Sequence, residues 1–291
     1  MRQRSFYATG TPPRGGTGER MGVIRKIRAY AALGLYLLGV ALFGAPHLYA
    51  LLLWDRIARV GRTAHRRRVA GWQMFWGCAL ANVTFRIMGI EIGFDLPRFP
   101  QDRPLVVVSN HPSGPLDGFL LMLMFSRMGR RDFRSIMKRE VTKIPVIGRS
   151  CVETACAFLT RGKDKDADLA EIARCARAAF ADRAAVLIFP EGTRFRGPKA
   201  GSGFSRVLPP KSAGLRALLQ EMPDCPVLSV TIAWDREIRN GAHTSSTIGS
   251  YVGARVSIHA TVLEDMDPGY VEEWLRGEWR RKDDRLAAQG T

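Results

Sequence analysis

The chain has 291 residues, of which 46% are hydrophobic and 24% are charged. This composition excludes a disordered protein, and the length predicts one large folded domain with an appendage. The formal net charge of +17 indicates an anionic partner, namely a lipid surface, a phosphorylated substrate or nucleic acid. The five cysteines form no C-x-x-C pair and the five histidines show no zinc-binding spacing. We therefore expect buried thiols and no metal site.

The N-terminal part of the chain predicts association with a membrane. Residues 1–28 are basic, and we expect them to be disordered. Residues 29–54 carry no charged side chain, and about 20 such residues are enough to cross a bilayer. Residues 69–85 are also uncharged and contain two Trp, which favours the membrane interface. We expect residues 29–85 to be membrane-associating helices, spanning or re-entrant; the alternative is a hairpin buried in a protein core.

The charge distribution favours a membrane over nucleic acid. The basic residues cluster within residues 1–28 and 56–68, on either side of the first apolar segment. An anionic membrane leaflet is therefore the expected partner, and no nucleic acid is expected. The simplest arrangement puts both clusters at the cytoplasmic face of the inner membrane.

Residues 86–291 have the pattern of an α/β domain. Short apolar runs typical of buried strands alternate with segments that have helical spacing. The expected strands cover residues 87–94, 105–108, 134–137, 157–159, 185–189, 227–234 and 255–262, and the expected helices cover 117–128, 165–181 and 268–288. This alternation predicts an α/β fold with a mostly parallel central sheet and helices on both faces.

A Pro- and Gly-rich turn follows the apolar run of residues 105–108 and carries Asn110, His111 and Asp117. Open α/β sheets commonly carry their chemistry at the carboxyl ends of the strands. An imidazole oriented by a carboxylate is a general base suited to neutral pH. The alternative interpretation is that Asp117 only caps the next helix and His111 only fills the turn.

A second polar loop follows the strand expected at residues 185–189. Gly192 permits close approach to the backbone, Thr193 offers a hydroxyl, and Arg194 offers a planar fork suited to phosphate. Glu191 can anchor Arg194 or orient a substrate hydroxyl. A surface turn with a solvated Arg is the alternative, but two polar loops at the same end of one sheet favour a shared site.

These two blocks resemble the signature motifs of the glycerolipid acyltransferases, and most closely those of the 1-acylglycerol-3-phosphate (lysophospholipid) acyltransferase family. The matching residues are Asn110-His111 with Asp117, and Phe189-Pro190-Glu191-Gly192-Thr193-Arg194. Segments at 138–148, 158–161 and 226–232 resemble the remaining blocks in order and spacing, so the resemblance covers about residues 85–235.

The spacing of the first block departs from the family pattern. Family members usually have four residues between the His and the Asp, whereas five separate His111 from Asp117. A one-residue insertion in a helix would rotate the Asp by about 100°. The turn contains Gly114-Pro115, which can absorb the insertion as a bulge, so we expect the contact between His111 and Asp117 to survive.

The resemblance implies transfer of a fatty acyl group from an acyl thioester to the free hydroxyl of a lysophospholipid, most closely 1-acylglycerol 3-phosphate. It implies His111 as the catalytic base and Asp117 as the residue that orients it. The implied substrate-binding residues are Asn110, Lys138, Arg161, Glu191, Gly192, Thr193 and Arg194. No cofactor is implied, and the donor is acyl-CoA or an acyl carrier protein (acyl-ACP). The alternatives are a different acceptor, such as a lyso-aminolipid or another alcohol, and a non-catalytic basic membrane scaffold.

Overall fold

The computed structural model describes residues 17–99, 103–160, 164–236, 249–264 and 266–289. The helices are α1 (Thr17–Gly39), α2 (Ala45–Ile57), α3 (Arg62–Met88), α4 (Pro115–Arg127), α5 (Ile147–Glu153), α6 (Lys165–Asp182), α7 (Ala213–Glu221) and α8 (Val271–Ala288). The strands are β1 (Glu91–Asp95), β2 (Leu105–Ser109), β3 (Phe133–Lys138), β4 (Ala157–Leu159), β5 (Ala185–Ile188), β6 (Val227–Trp234) and β7 (Arg255–Leu263).

The strands form one seven-stranded sheet in the order β1-β7-β6-β2-β5-β3-β4. The five strands from β6 to β4 are parallel to one another, whereas β7 is antiparallel to β6 and parallel to β1. The predicted α/β fold with a mostly parallel sheet is confirmed.

The central strand β2 shows why the sheet is covered on both faces. All five of its residues are buried. Leu105 and Val107 belong to an apolar cluster with α3 and α4, whereas Val106 and Val108 belong to a second cluster with α6, α7 and α8. Successive side chains of a strand point to opposite faces, so a strand that is apolar throughout requires helices on both sides.

The N-terminal helices form a long apolar element. A π-helical turn at Val40–Gly44 joins α1 to α2, and Gly22–Ile57 is apolar and long enough to cross a membrane. Only 17% of its most apolar window is buried. Large apolar side chains such as Phe43 and Trp54 are instead exposed. Residues 17–28 are helical where disorder was expected, and residues 1–16 lie outside the described residues.

Helix α3 packs one side against the protein and ends differently from the sequence prediction. Trp72 and Phe85 are buried within the protein, whereas Phe75 is exposed. The apolar run from residue 87, expected as a strand, continues α3 to Met88. Gly89 then ends the helix in the left-handed conformation at φ +67°, and the strand begins at Glu91.

Candidate active site

The two polar loops leave neighbouring strands at the same edge of the sheet. β2 pairs with β5 in parallel, with Val108 opposite Ile188, so the residues after each strand meet. The N–H of Phe195 donates to the carbonyl of His111 at 2.9 Å. The His111 ring also stacks on the Phe189 ring with 4.2 Å between centroids. The loops are therefore one structural unit, as the sequence predicted.

His111 and Asp117 are in direct contact despite the extra residue between them. His111 Nδ1 lies 2.7 Å from Asp117 Oδ2. The Asp117 side chain is fully buried, whereas the His111 side chain is 18% exposed. Because Asp117 holds Nδ1 as a hydrogen-bond donor, Nε2 is the nitrogen left to accept a proton. The pair has the arrangement of an oriented general base.

The turn before α4 absorbs the extra residue through Gly114. This glycine has φ +83° and ψ −114°, a conformation that other residues rarely adopt. The N–H groups of Ser113 and Gly114 each donate to Asp117 Oδ2 at 3.0 Å, and the Ser113 hydroxyl donates to Oδ1. Asp117 therefore caps α4 and orients His111 at the same time. The Tyr251 hydroxyl donates to the Ser113 carbonyl at 2.7 Å and supports the turn.

Glu191 lies behind the two loops, with only 3% of its surface exposed. Its Oε1 accepts the N–H of His111 at 3.2 Å and its Oε2 accepts the N–H of Leu208 at 3.3 Å. Burial raises the pKa of Glu191 to about 8, while the two N–H donors favour the ionised form. These contacts are those of a residue that holds the His111 backbone in place, rather than the Arg194 anchor considered from the sequence.

Two cationic side chains, Arg194 and Lys211, lie beside Gly192 and the exposed Thr193 in the loop after β5. A Cβ added at Gly114 would lie 3.2 Å from Arg194 Nη1, so the Arg194 guanidinium lies against the turn between His111 and Asp117. A Cβ added at Gly192, which has φ +70°, would lie 3.4 Å from Lys211 Nζ. Among the described residues neither cation is paired with a carboxylate. The loop is therefore bordered by two positive charges.

Asn110 and Lys138, two further predicted substrate-binding residues, lie at the ends of the strands β2 and β3. Asn110 is buried and its side chain bonds the main chain of Ile232 in both directions, donating at 2.9 Å and accepting at 2.8 Å. It therefore joins the end of β2 to β6. Lys138 is exposed at the end of β3, the strand beside β5. Arg161 lies outside the described residues.

The C-terminal helix α8 supports the site, which the sequence analysis missed. Asp283 accepts the main-chain N–H groups of residues 205–207 at 2.5–3.1 Å, and the next residue, Leu208, donates to Glu191. Burial lowers the pKa of the neighbouring Lys282 to about 7. In the sequence α8 has the pattern of a charged, solvent-exposed helix, so no local signal identifies Lys282 and Asp283 as buried.

An apolar cavity of about 210 Å³ borders the start of α4. Gly118 and Phe119, which directly follow Asp117, line one wall. Met122 of α4 lies on the same side. The other walls come from the N-terminal helices, β3 and the start of α5, and include Tyr36, Val40, Trp72, Trp76, Leu80, Met137, Val146 and Ile147. A cavity with these walls suits an alkyl chain.

Comparisons with known proteins agree with the resemblance found in the sequence. Residues 95–233 match the acyltransferase family. Over 121 residues the chain is 36% identical to a 1-acyl-sn-glycerol-3-phosphate acyltransferase from Chlamydomonas reinhardtii. The aligned region is 41% of this chain and 32% of that protein. The match therefore spans about a third of that relative's length.

The fold is similar to the crystal structure of the 1-acyl-sn-glycerophosphate (LPA) acyltransferase PlsC from Thermotoga maritima. The TM-score is 0.57 with 17% sequence identity, and the similarity covers 90% of this chain and 98% of that one. At this identity the likeness concerns the fold alone. The segment of residues 95–233 therefore belongs to the acyltransferase family of enzymes.

Proposed function

We propose that this enzyme transfers a fatty acyl group from an acyl thioester to the free hydroxyl of 1-acylglycerol 3-phosphate, forming phosphatidic acid. The observation that carries the proposal is the 2.7 Å contact between His111 Nδ1 and Asp117 Oδ2, with the Arg194 guanidinium against the same turn. A base beside a cation matches an acceptor that carries both a hydroxyl and a phosphate. The names of the two relatives support this acceptor.

In the proposed reaction His111 Nε2 takes the proton of the acceptor hydroxyl while the hydroxyl oxygen attacks the thioester carbonyl. Asp117 keeps the imidazole in the required tautomer and stabilises the imidazolium that forms. The tetrahedral intermediate then expels the thiolate, which accepts this proton from His111 and leaves as the thiol. Because the acceptor itself is the nucleophile, no acyl-enzyme forms.

The acceptor phosphate is assigned to the loop that follows β5. Arg194 presents a planar fork for phosphate oxygens, and Gly192 and Thr193 lie beside it. Lys138 and Arg161 stay predictions as further cations of this site. Asn110 and Glu191 contribute by holding the main chain on either side of His111.

The apolar cavity is proposed to hold the acyl chain, and Gly118 allows a direct test. A Cβ added at Gly118 meets no atom within 4 Å, so Gly118→Leu introduces its side chain without a backbone clash and narrows the cavity. We expect kcat/KM with a hexadecanoyl thioester to fall at least about tenfold relative to an octanoyl thioester. Gly71→Leu is the matched control, since Gly71 is helical and equally unobstructed but does not line the cavity. An equal effect on both chain lengths would contradict the assignment.

The N-terminal apolar helix is consistent with membrane association. We propose that it holds the site at the cytoplasmic face of the inner membrane, where basic residues meet an anionic leaflet. Protease digestion of inverted vesicles and of intact spheroplasts measures the side. Cleavage of the α/β domain is expected only in inverted vesicles, and cleavage in spheroplasts would place it on the opposite face.

The proposed function is tested by offering detergent-purified protein one acyl thioester with several acceptors. The panel contains 1-acylglycerol 3-phosphate, other lysophospholipids, a lyso-aminolipid and the matching monoacylglycerol without phosphate. We expect the highest kcat/KM with 1-acylglycerol 3-phosphate. Preference for the lyso-aminolipid or another alcohol would show the alternative acceptor. Transfer to none of them would favour the non-catalytic scaffold.

A further inference from the structure

A second, polar cleft lies beside the loop that carries Gly192 and Arg194. Its volume is about 630 Å³, and it lies between the segment 202–213 and one face of α8. Pockets of this size accept ligands far larger than a single phosphate group. The cleft is therefore large enough for a nucleotide or a comparable phosphorylated arm.

The charges of the cleft favour an anion. Lys211, Arg276 and Arg280 line it, against the single carboxylate of Glu272. Arg276 is paired with Glu272 at 3.2 Å and both are more than 60% exposed. Arg280 is exposed, and among the described residues it is paired with no carboxylate. Arg276 and Arg280 are one helical turn apart on α8, so their guanidinium groups flank the same space.

Lys211 connects this cleft to the catalytic loops. Its N–H donates to the carbonyl of Pro190 at 2.9 Å, and its ammonium lies beside Gly192. The cleft therefore adjoins the loop that follows β5 on the side of α8, whereas the apolar cavity begins at Gly118 in α4. One cavity is suited to an alkyl chain and the other to a polyanion.

We propose that the cleft binds the phosphate groups of a phosphopantetheine-linked acyl donor, and this inference rests on the proposed function. An acyl thioester of this class has an apolar chain on one side of the reacting carbonyl and a long polar arm ending in phosphate on the other. Those two ends match the two cavities. Acyl-CoA and acyl-ACP share this phosphorylated arm, so either can supply the ligand.

The test uses steady-state kinetics of the full-length, detergent-purified enzyme with saturating 1-acylglycerol 3-phosphate. Three donors carry the same acyl chain: acyl-CoA, acyl-ACP and acyl-pantetheine, which lacks phosphate. The double variant Arg276→Gln/Arg280→Gln is compared with wild type. Arg281→Gln is the matched control, because Arg281 is an exposed arginine of the same helix that does not line the cleft.

The double variant is expected to raise KM by about tenfold for the phosphorylated donor and to leave KM and kcat for acyl-pantetheine unchanged. A rise in KM for acyl-CoA alone, for acyl-ACP alone or for both donors identifies the source of the phosphate. An unchanged KM for both phosphorylated donors, or an equal rise with acyl-pantetheine or in the Arg281→Gln control, would overturn the proposal. Wild-type protein that transfers no acyl group from any donor would instead overturn the proposed function itself.

Discussion

His111→Ala is expected to lower kcat for acyl transfer by about 10²–10⁴-fold, the usual contribution of a positioned general base. Asp117→Asn is expected to lower kcat as well. The carboxylate accepts hydrogen bonds from His111 Nδ1 and from two main-chain N–H groups, and an amide cannot accept all of them. The KM values should change little, because neither side chain is assigned to the acceptor phosphate. Initial rates with 1-acylglycerol 3-phosphate and one acyl thioester measure both effects.

The chain provides a matched control for this prediction. His259 Nδ1 lies 2.6 Å from Asp95 Oδ2, so this pair makes the same contact on the neighbouring strands β7 and β1. His259→Ala should leave kcat unchanged. A His111→Ala enzyme that keeps wild-type kcat would remove His111 from the reaction. Loss of activity in His111→Ala with full activity in Asp117→Asn would show that His111 needs no orienting carboxylate.

Arg194→Ala is expected to raise KM for 1-acylglycerol 3-phosphate by about 10–100-fold, the range that corresponds to losing a charge-assisted hydrogen bond. Rates with monoacylglycerol, which lacks the phosphate, should change far less. The KM of Arg194→Lys for 1-acylglycerol 3-phosphate should lie between those of wild type and Arg194→Ala, because lysine keeps the charge but loses the planar fork. KM and kcat for both acceptors give the comparison.

Arg196 serves as the control for Arg194, since it is exposed and lies two residues further along the same loop. Arg196→Ala should leave both KM values unchanged. An equal loss with the phosphorylated and unphosphorylated acceptors in Arg194→Ala would mean that Arg194 supports the catalytic turn, with the phosphate bound elsewhere.

The strands β2 and β5 and both polar loops could be predicted because their signals are local. β2 and β5 are short apolar runs that end directly in polar turns, and parallel strands place such turns at one edge. The contact between His111 and Asp117 followed from the motif and from the conformational freedom of Gly114. The boundary at Gly89 was missed because the apolar pattern continues through the end of the helix into the strand.

The roles of other residues depend on long-range contacts that no local pattern shows. Asn110 is a polar residue in a turn, yet its partner Ile232 is 122 positions away. Asp283 lies in a charged helix, yet it accepts several main-chain N–H groups from residues 205–207. Spacing along the chain cannot report such pairings, because folding alone brings these segments together.

The central claim is that the acyl group passes directly from the thioester to a lysophospholipid hydroxyl with His111 as base. A single-turnover experiment tests it most directly: enzyme in excess over a radiolabelled acyl thioester, quenched at successive times, with products and protein separated. With 1-acylglycerol 3-phosphate present, the label should move from the thioester to phosphatidic acid without appearing on the protein, and His111→Ala should abolish this transfer. Label that accumulates on the protein, or that appears mainly as free fatty acid, would contradict the account.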